Sequence, residues 1–360
     1  MKSEKVKKIL IRSVNWIGDA VMTTPAISAI RKRFPDAHIS VLAKPWVRDV
    51  FLNNPDIDEI VVYSDRGIHR GLSGKFRLIK ELTKRCFDIT FLFQNAFEAA
   101  LITFLAGIPE RIGYNTDGRG LLLTDPIETP QKVKRLFGVS GSGIKIMKMH
   151  HVEYYLRLIN AVGIDGKGLP LVFNLTDEEQ EEADRRLKDE GIGDGHLIVG
   201  INPGASYGPA KRWFLERYAM LSDMIVKNLG ARVVIFGGVN EVKTAEEIAG
   251  ITRYKPVVMA GRTTLRELGA LVKRCSVFVT NDSGPMHIAA ALNVPVVALF
   301  GSTNPDATGP WGSGHIIIKK ELPCSPCFKK VCSEGYRCMD LITVDEVLES
   351  VKLKLLELKC

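Results

Sequence analysis

The chain has 360 residues, 46% of them hydrophobic, so it can bury two ordinary cores and its length suggests about two domains. Its formal net charge of +8 suits an acidic substrate, an anionic membrane surface or nucleic acid, but there is no zinc-finger spacing, RNA-recognition aromatic motif or basic zipper, which argues against nucleic acid as a partner. No apolar run reaches the roughly 20 residues of a membrane-spanning helix, because Asn293 and Pro295 interrupt the best stretch.

At the amino terminus, Lys2, Lys5, Lys7 and Lys8 precede Ile9-Leu10-Ile11 in the outline of a signal peptide. Arg12 and Asn15 end the apolar stretch too soon, and a cytoplasmic protein is expected. Lys8 to Val14 reads as a first strand and Val21 to Phe34 as the helix after it. The turn between them, Asn15-Trp16-Ile17-Gly18-Asp19, should open on the ligand side of its sheet. Asp19 is placed for catalysis or, more plainly, for capping the helix. Pro25 suggests that regular helix begins close to it.

Alternation continues through His38 to Ala43 (strand), Trp46 to Asn53 (helix), Glu59 to Tyr63 (strand), Gly74 to Arg85 (helix) and Phe87 to Gln94 (strand). Such spacing implies βαβ units and a mainly parallel sheet. Residues 129 to 152 break the rhythm. They carry Lys132, Lys134, Arg135, Lys145, Lys148, His150 and His151 without an acidic residue from 130 on to 152, and Gly138, Gly141 and Gly143 loosen the middle. A solvated loop is the ordinary reading, and a contact with a phosphorylated or membrane-borne acceptor is the functional one. His151 to Val162 reads as a helix. Gly163 to Pro170, with its glycines and proline, is the best domain boundary, dividing a first domain (1–165) from a second (170–342).

Beyond Thr176-Asp177-Glu178-Glu179, a capping-box signature, the alternation restarts. His196 to Ile201 is a strand ending in Asn202-Pro203-Gly204-Ala205-Ser206. The following Lys211-Arg212 would let this glycine turn hold a diphosphate, or form no more than a basic surface loop. Arg232 to Gly238 is the next strand. At its end Glu241 could accept hydrogen bonds from a ribose or simply cap a helix.

Residues 277 to 301 read as strand, tight turn, helix, strand. Asn281, Asp282, Ser283 and Gly284 lie where free N–H groups and the helix dipole favour an anion, and His287 follows one turn along. Capping of the helix by Asp282 or Ser283 is the plainer alternative. Cys324, Cys327, Cys332 and Cys338 then fall in one loop as C-x2-C-x4-C-x5-C, open to metal binding, disulfides or reduced thiols. Thr343 to Leu358 is an amphipathic terminal helix, placed to pack back on the first domain. A cleft between the two α/β halves is the default site. The absence of G-x-G-x-x-G after either first strand and of G-x-x-x-x-G-K-[ST] argues against a nicotinamide enzyme and a P-loop ATPase.

W-I-G-D-A-V-M-T-T-P-A at 16–26, P-G-A-S-Y-G-P-A-K-R-W at 203–213, N-D-S-G-P-M-H-I-A-A-A at 281–291, F-G-S-T-N-P at 300–305 and the cysteine loop resemble the bacterial ADP-heptose:lipopolysaccharide heptosyltransferases, heptosyltransferase II above all. The resemblance implies a glycosyltransferase-B fold, two Rossmann-like domains with mainly parallel sheets facing a central cleft, the first for acceptor and the second for nucleotide sugar. It implies inverting transfer of L-glycero-D-manno-heptose from ADP-heptose to the lipopolysaccharide inner core, onto the first heptose, at the cytoplasmic face of the inner membrane; no cofactor and no metal-ligand residues are assigned, and a need for Mg²⁺ stays open. Heptosyltransferase I-like transfer to Kdo-lipid A and a UDP-sugar 2-epimerase are the alternatives. Asp19, beside Gly18, matches the family's general base. Lys211 matches the phosphate-binding lysine with Ser206 nearby, and Asp282, Ser283, Gly284 and His287 match the donor-binding D-[ST]-G-x-x-H, with Glu241 carried over alongside.

Overall fold

The structure, a computed structural model, describes residues 6–130 and 149–358. Lys2, Lys5, Cys360 and most of the basic stretch, including Lys132, Lys134, Arg135, Lys145 and Lys148, lie outside the described residues. The chain forms two compact units. The first takes in described residues up to 130 together with His151–Asn174, and the second Met149, His150 and Leu175 onward.

The first unit is built on six strands, β1 (Lys8–Arg12), β2 (His38–Ala43), β3 (Glu59–Val62), β4 (Ile89–Leu92), β5 (Glu110–Tyr114) and β6 (Asp125–Ile127), in the order β3-β2-β1-β4-β5-β6. Every pairing is parallel, with Ile9 opposite both Ile39 and Ile89. Helices α1 (Ile17–Arg33), α2 (Gly71–Arg85), α3 (Phe97–Leu105) and α4 (His151–Asn160) complete it. A parallel sheet covered on both faces asks for continuous apolar runs, and β1 and β4 supply them, with Ile9, Leu10, Ile11, Ile89, Phe91 and Leu92 all buried.

Three expectations are corrected here. Helix α1 begins at Ile17, so Pro25 lies inside it. Proline removes the N–H that would reach the Val21 carbonyl, and the Thr24 hydroxyl donates to that carbonyl instead, at 2.7 Å. The stretch from Trp46 to Asn53 holds only a short 3-10 turn at Arg48–Val50. The glycine-rich segment after α4 is held against the first unit: a Cβ at Gly166 would lie 2.9 Å from the Ala29 Cβ, and the Val172 N–H donates to Thr24 Oγ1 at 2.9 Å.

The second unit repeats the plan with β7 (Ile198–Asn202), β8 (Arg232–Ile235), β9 (Val257–Val258), β10 (Val277–Asn281), β11 (Val296–Phe300) and β12 (Ile316–Lys319), in the order β12-β11-β10-β7-β8-β9, again all parallel. Read outward from its first strand, this order is the same as that of the first sheet. Its helices are α5 (Asp177–Asp189), α6 (Leu215–Leu229), α7 (Val242–Ile251), α8 (Leu265–Lys273), α9 (Gly284–Ala291), α10 (Pro305–Thr308), α11 (Arg337–Asp340) and α12 (Val344–Glu357). The Thr176 capping box opens α5 as the sequence indicates, the hydroxyl accepting from the Glu179 N–H at 3.2 Å. The terminal helix α12 was expected to pack back on the first domain. It belongs to the second unit, where Val347, Leu348, Val351 and Leu355 join the core with Trp213, Tyr218, Val279 and Leu299. Among the described residues no helix is long and apolar enough to cross a membrane.

Candidate functional site

Because all strands of each sheet run the same way, the turns that leave their carboxyl ends gather along one edge. The reversal of strand order, between β1 and β4 in one unit and between β7 and β10 in the other, opens a crevice there. Both reversal points carry the polar residues singled out from the sequence.

In the first unit the β1–α1 turn delivers Gly18 and Asp19 to the first turn of α1. Trp16 occupies the N-cap without a side-chain cap, and Asp19 directs Oδ1 to His151 Nδ1, 3.2 Å away on α4. Both side chains are about a quarter exposed, so this carboxylate is reachable from solvent while its partner is supplied by the helix packed on α1. One turn on from His151, Tyr155 is buried, and burial together with the Asp19 charge holds its phenol well above the ordinary tyrosine range. His151 belongs to the stretch read from the sequence as a basic loop, and its partnership with Asp19 had no sequence signal.

Arg119, with none of its surface exposed, fixes the facing β4 turn. Its guanidinium donates to the Gln94 and Tyr114 carbonyls and to Asn95 Oδ1 (3.1 Å), while Asn95 Nδ2 donates to the Tyr154 hydroxyl at 2.9 Å. Burial lowers the Arg119 pKa to about 10. Arg12 is used similarly on the β1 side, donating to the Ser13 and Leu42 carbonyls and to Asn15 Oδ1, with its pKa lowered by burial to about 10. Two buried guanidiniums thus pin the turns on either side of the reversal point.

In the second unit, Asp282 is 5% exposed at the end of β10 and accepts from Lys211 Nζ at 2.5 Å and from the Thr308 hydroxyl at 3.3 Å. Lys211 comes from the loop after β7, which also carries Ser206, exposed to solvent, and its ammonium sits 5.1 Å from the Tyr207 ring centroid. Ser283 is the N-cap of α9 but does not cap it. Its hydroxyl lies 3.0 Å from Thr280 Oγ1 and accepts from Asn202 Nδ2 at 3.2 Å, so the first-turn N–H groups of α9, starting at Gly284, have no side-chain cap. His287 is buried one turn further. Glu241 stands at the N-cap of α7 without a side-chain cap bond; it accepts instead from the Gly238 N–H at 2.9 Å, closing the 3-10 turn before that helix, and it also abuts the β7 turn. A Cβ at Gly204 would stand 2.7 Å from its Cγ and one at Gly237 2.8 Å from its Cβ, so both glycines are required by close approach.

Hydrogen bonds between the turns brace this edge. Asn281 accepts from the Trp213 N–H (3.2 Å) and the Tyr218 hydroxyl (3.1 Å) and donates to the Pro203 carbonyl (2.8 Å), tying β10 to the β7 turn. Ser302 and Thr303, in the turn after β11, are buried and their hydroxyls have no hydrogen-bond partner among the described residues.

The cysteine loop acts as a strut between these turns. Phe328 N–H donates to the Ser302 carbonyl and Ser325 Oγ to that of Gly301, both at 2.7 Å, while the Ala210 N–H reaches the Lys330 carbonyl at 3.0 Å. A Cβ at Gly208 would lie 2.4 Å from that same Lys330 oxygen. Cys324, Cys327, Cys332 and Cys338 are free thiols, and no three His, Cys, Asp or Glu among the described residues converge as a metal site. Burial raises the Cys338 thiol, and Cys332 Sγ accepts from the Glu334 and Tyr336 N–H groups at 3.3 and 3.2 Å.

Known proteins share both the pattern and the fold. The family model for glycosyltransferase family 9 (heptosyltransferase) matches residues 75–337. The chain is 29% identical to lipopolysaccharide heptosyltransferase 2 of Escherichia coli (strain K12), over 97% of this chain and 99% of that one. Identity to the enzyme of the same name from Salmonella typhimurium is 30%, over 96% and 97%. A crystal structure of the glycosyl transferase family 9 from Veillonella parvula superposes with a TM-score of 0.85 at 26% identity, covering 99% of each chain. The structure of E. coli ADP-heptose LPS heptosyltransferase II gives 0.78 at 28%, covering 98% of this chain and 100% of that one. With two Rossmann-like sheets of identical strand order, and a family match spanning most of its length, the chain belongs to glycosyltransferase family 9, the heptosyltransferases.

Proposed function

We propose that this enzyme moves L-glycero-D-manno-heptose from ADP-heptose, with inversion, onto the first heptose of the lipopolysaccharide inner core, working in the cytoplasm against the inner membrane. The observation that carries the reading is the second-unit edge, where Lys211 is held on Asp282 beside the amino end of α9, whose first N–H groups lack a side-chain cap. That combination suits a diphosphate: helix-terminus donors and a fixed ammonium stabilise charge as it builds on the β-phosphate of departing ADP. Asp282 keeps the ammonium extended until the anion arrives. The buried Ser302 and Thr303 hydroxyls would supply further donors, and Glu241, against the β7 turn, would accept from a ribose.

On the first unit, Asp19 is the general base. Its carboxylate takes the proton from the acceptor hydroxyl as that oxygen attacks the anomeric carbon, and His151 holds the other side of the carboxylate. The net charge of +8 favours an acceptor rich in phosphates and carboxylates.

The test is release of ADP, and mass spectrometry of the product, with ADP-heptose and a panel of truncated core acceptors. Asp19→Asn is expected to lower transfer by about 10²- to 10⁴-fold while ADP-heptose still binds. Lys211→Gln is expected to weaken donor binding by about 10- to 100-fold, the worth of a charge-assisted hydrogen bond. Transfer by Asp19→Asn at the original rate would remove Asp19 as the base, and a product on Kdo-lipid A rather than on heptose would move the acceptor assignment.

A further inference from the structure

The first unit carries a surface that the chemistry above does not use. Ile68, Leu72 and Phe76 are 63%, 77% and 65% exposed, and Trp46 is 43% exposed. Leu72 and Phe76 are one helical turn apart at the start of α2, Ile68 precedes them in the turn after β3, and Trp46 follows β2. All four therefore stand at the carboxyl edge of the sheet that presents Asp19. Exposed apolar groups clustered this way mark a contact surface rather than scattered surface residues.

The charges around them that make no salt bridge among the described residues are of one sign. The carboxylates nearest this face are taken, Asp65 by Lys44 at 2.6 Å and Glu98 by Lys75 at 2.7 Å. Arg70, Arg77 and Lys80 are exposed and make no salt bridge among the described residues, and Arg66 lies over the Trp46 ring, 5.5 Å from its centroid. An aromatic and aliphatic tip flanked by unpaired cations is the composition of a surface that sinks into the headgroup layer of an anionic bilayer. We propose that the Trp46, Ile68, Leu72 and Phe76 face docks this enzyme on anionic phospholipid, setting the Asp19 edge against the plane from which a lipid-anchored acceptor projects. The inference rests on the transfer reading for its purpose, but not for its test.

That test is co-sedimentation of the full chain with vesicles of phosphatidylcholine alone and of phosphatidylcholine mixed with phosphatidylglycerol. The wild type is expected to bind the mixed vesicles and to be released by salt. Leu72→Ser with Phe76→Ser should weaken that binding at least about tenfold, because two buried side chains return to water. Arg70→Gln with Arg77→Gln should erase the preference for phosphatidylglycerol. The apolar variant should transfer normally to a soluble, deacylated acceptor and at least about tenfold more slowly to an acceptor embedded in the vesicles. Vesicle binding by the apolar variant equal to wild type, or no wild-type binding, overturns the proposal. So does a wild type that is dimeric without lipid when the apolar variant is monomeric, since a second copy would then cover the face. Sedimentation decides the docking surface even if heptosyl transfer is not observed, so the two readings fail separately.

Discussion

His151 reaches Asp19 through Nδ1, and this fixes what a replacement must supply. Asparagine places its amide nitrogen close to where Nδ1 stands, whereas glutamine places its own near Nε2, so only the former can keep the 3.2 Å contact. If the contact positions the base, His151→Asn should retain kcat within a few-fold. His151→Gln and His151→Ala should lower kcat about tenfold, with KM for the acceptor little changed, in steady-state kinetics on the soluble acceptor. Equal losses in all three would point to a packing role alone. This pairing spans 132 residues of sequence and joins a strand-to-helix turn to a stretch that reads only as basic, which is why no local pattern reveals it. For Asp19 the glycine turn between an apolar strand and a helix left two readings, base or helix cap, and only the family resemblance favoured the base. Lys211 and Asp282 each stand out in the sequence as donor-site candidates. That they hold each other in a salt bridge is a product of the β7–β10 pairing, not of either motif.

At the scale of elements, the long α1 survives its internal proline because Thr24 serves two neighbours. Its hydroxyl donates to the Val21 carbonyl and accepts from the Val172 N–H, and the side chain is fully buried. Thr24→Val keeps the shape and loses both bonds. It is expected to cost about 2–3 kcal/mol, read as a lower urea midpoint with unchanged slope for the transition that reports the first unit. In the second unit, Glu179 on α5 accepts from the buried Arg266 on α8 at 2.6 and 2.8 Å, and this bond, opposed by burial, lowers its pKa. A lowered carboxylate pKa adds stability above its unfolded value, near pH 4.3, and loses it as pH falls through the folded value. Arg266→Leu should therefore be less stable than wild type at neutral pH, by about 1 kcal/mol for a partly exposed pair, with the gap narrowing below about pH 4 in denaturant titrations. The capping box that opens α5 could be read from Thr176 and Glu179 alone, since both partners lie within one turn. Strands β5 and β6, E-R-I-G-Y and D-P-I, could not. Their charged and proline residues suppress the apolar signal, and only pairing with β4 and with each other gives them strand character. Trp46 to Asn53 misleads in the other direction, because its buried Val47, Val50 and Phe51 mimic helical spacing in what is a tight turn.

Across the whole molecule, repetition of one strand order explains why the candidate residues gather at the carboxyl edge of each sheet. Once alternation implies parallel sheets, the turns after the first and fourth strands of each unit must meet at a reversal point, and Asp19, Lys211 and Asp282 all lie at such turns. The same wiring has a cost during synthesis. Among the described residues no two paired strands are joined by a hairpin, and β1 must wait for its second neighbour, β4, whose preceding residue Asp88 accepts from the Lys8 N–H 80 residues away. At about 5–20 residues per second, a ribosome needs roughly 4–16 s to cover that interval. For that time the apolar Ile9-Leu10-Ile11 segment waits half-paired, and β7 repeats the wait later in the chain. Newly made molecules should accordingly depend on chaperones that shield extended apolar chain more than a helical protein of this length would.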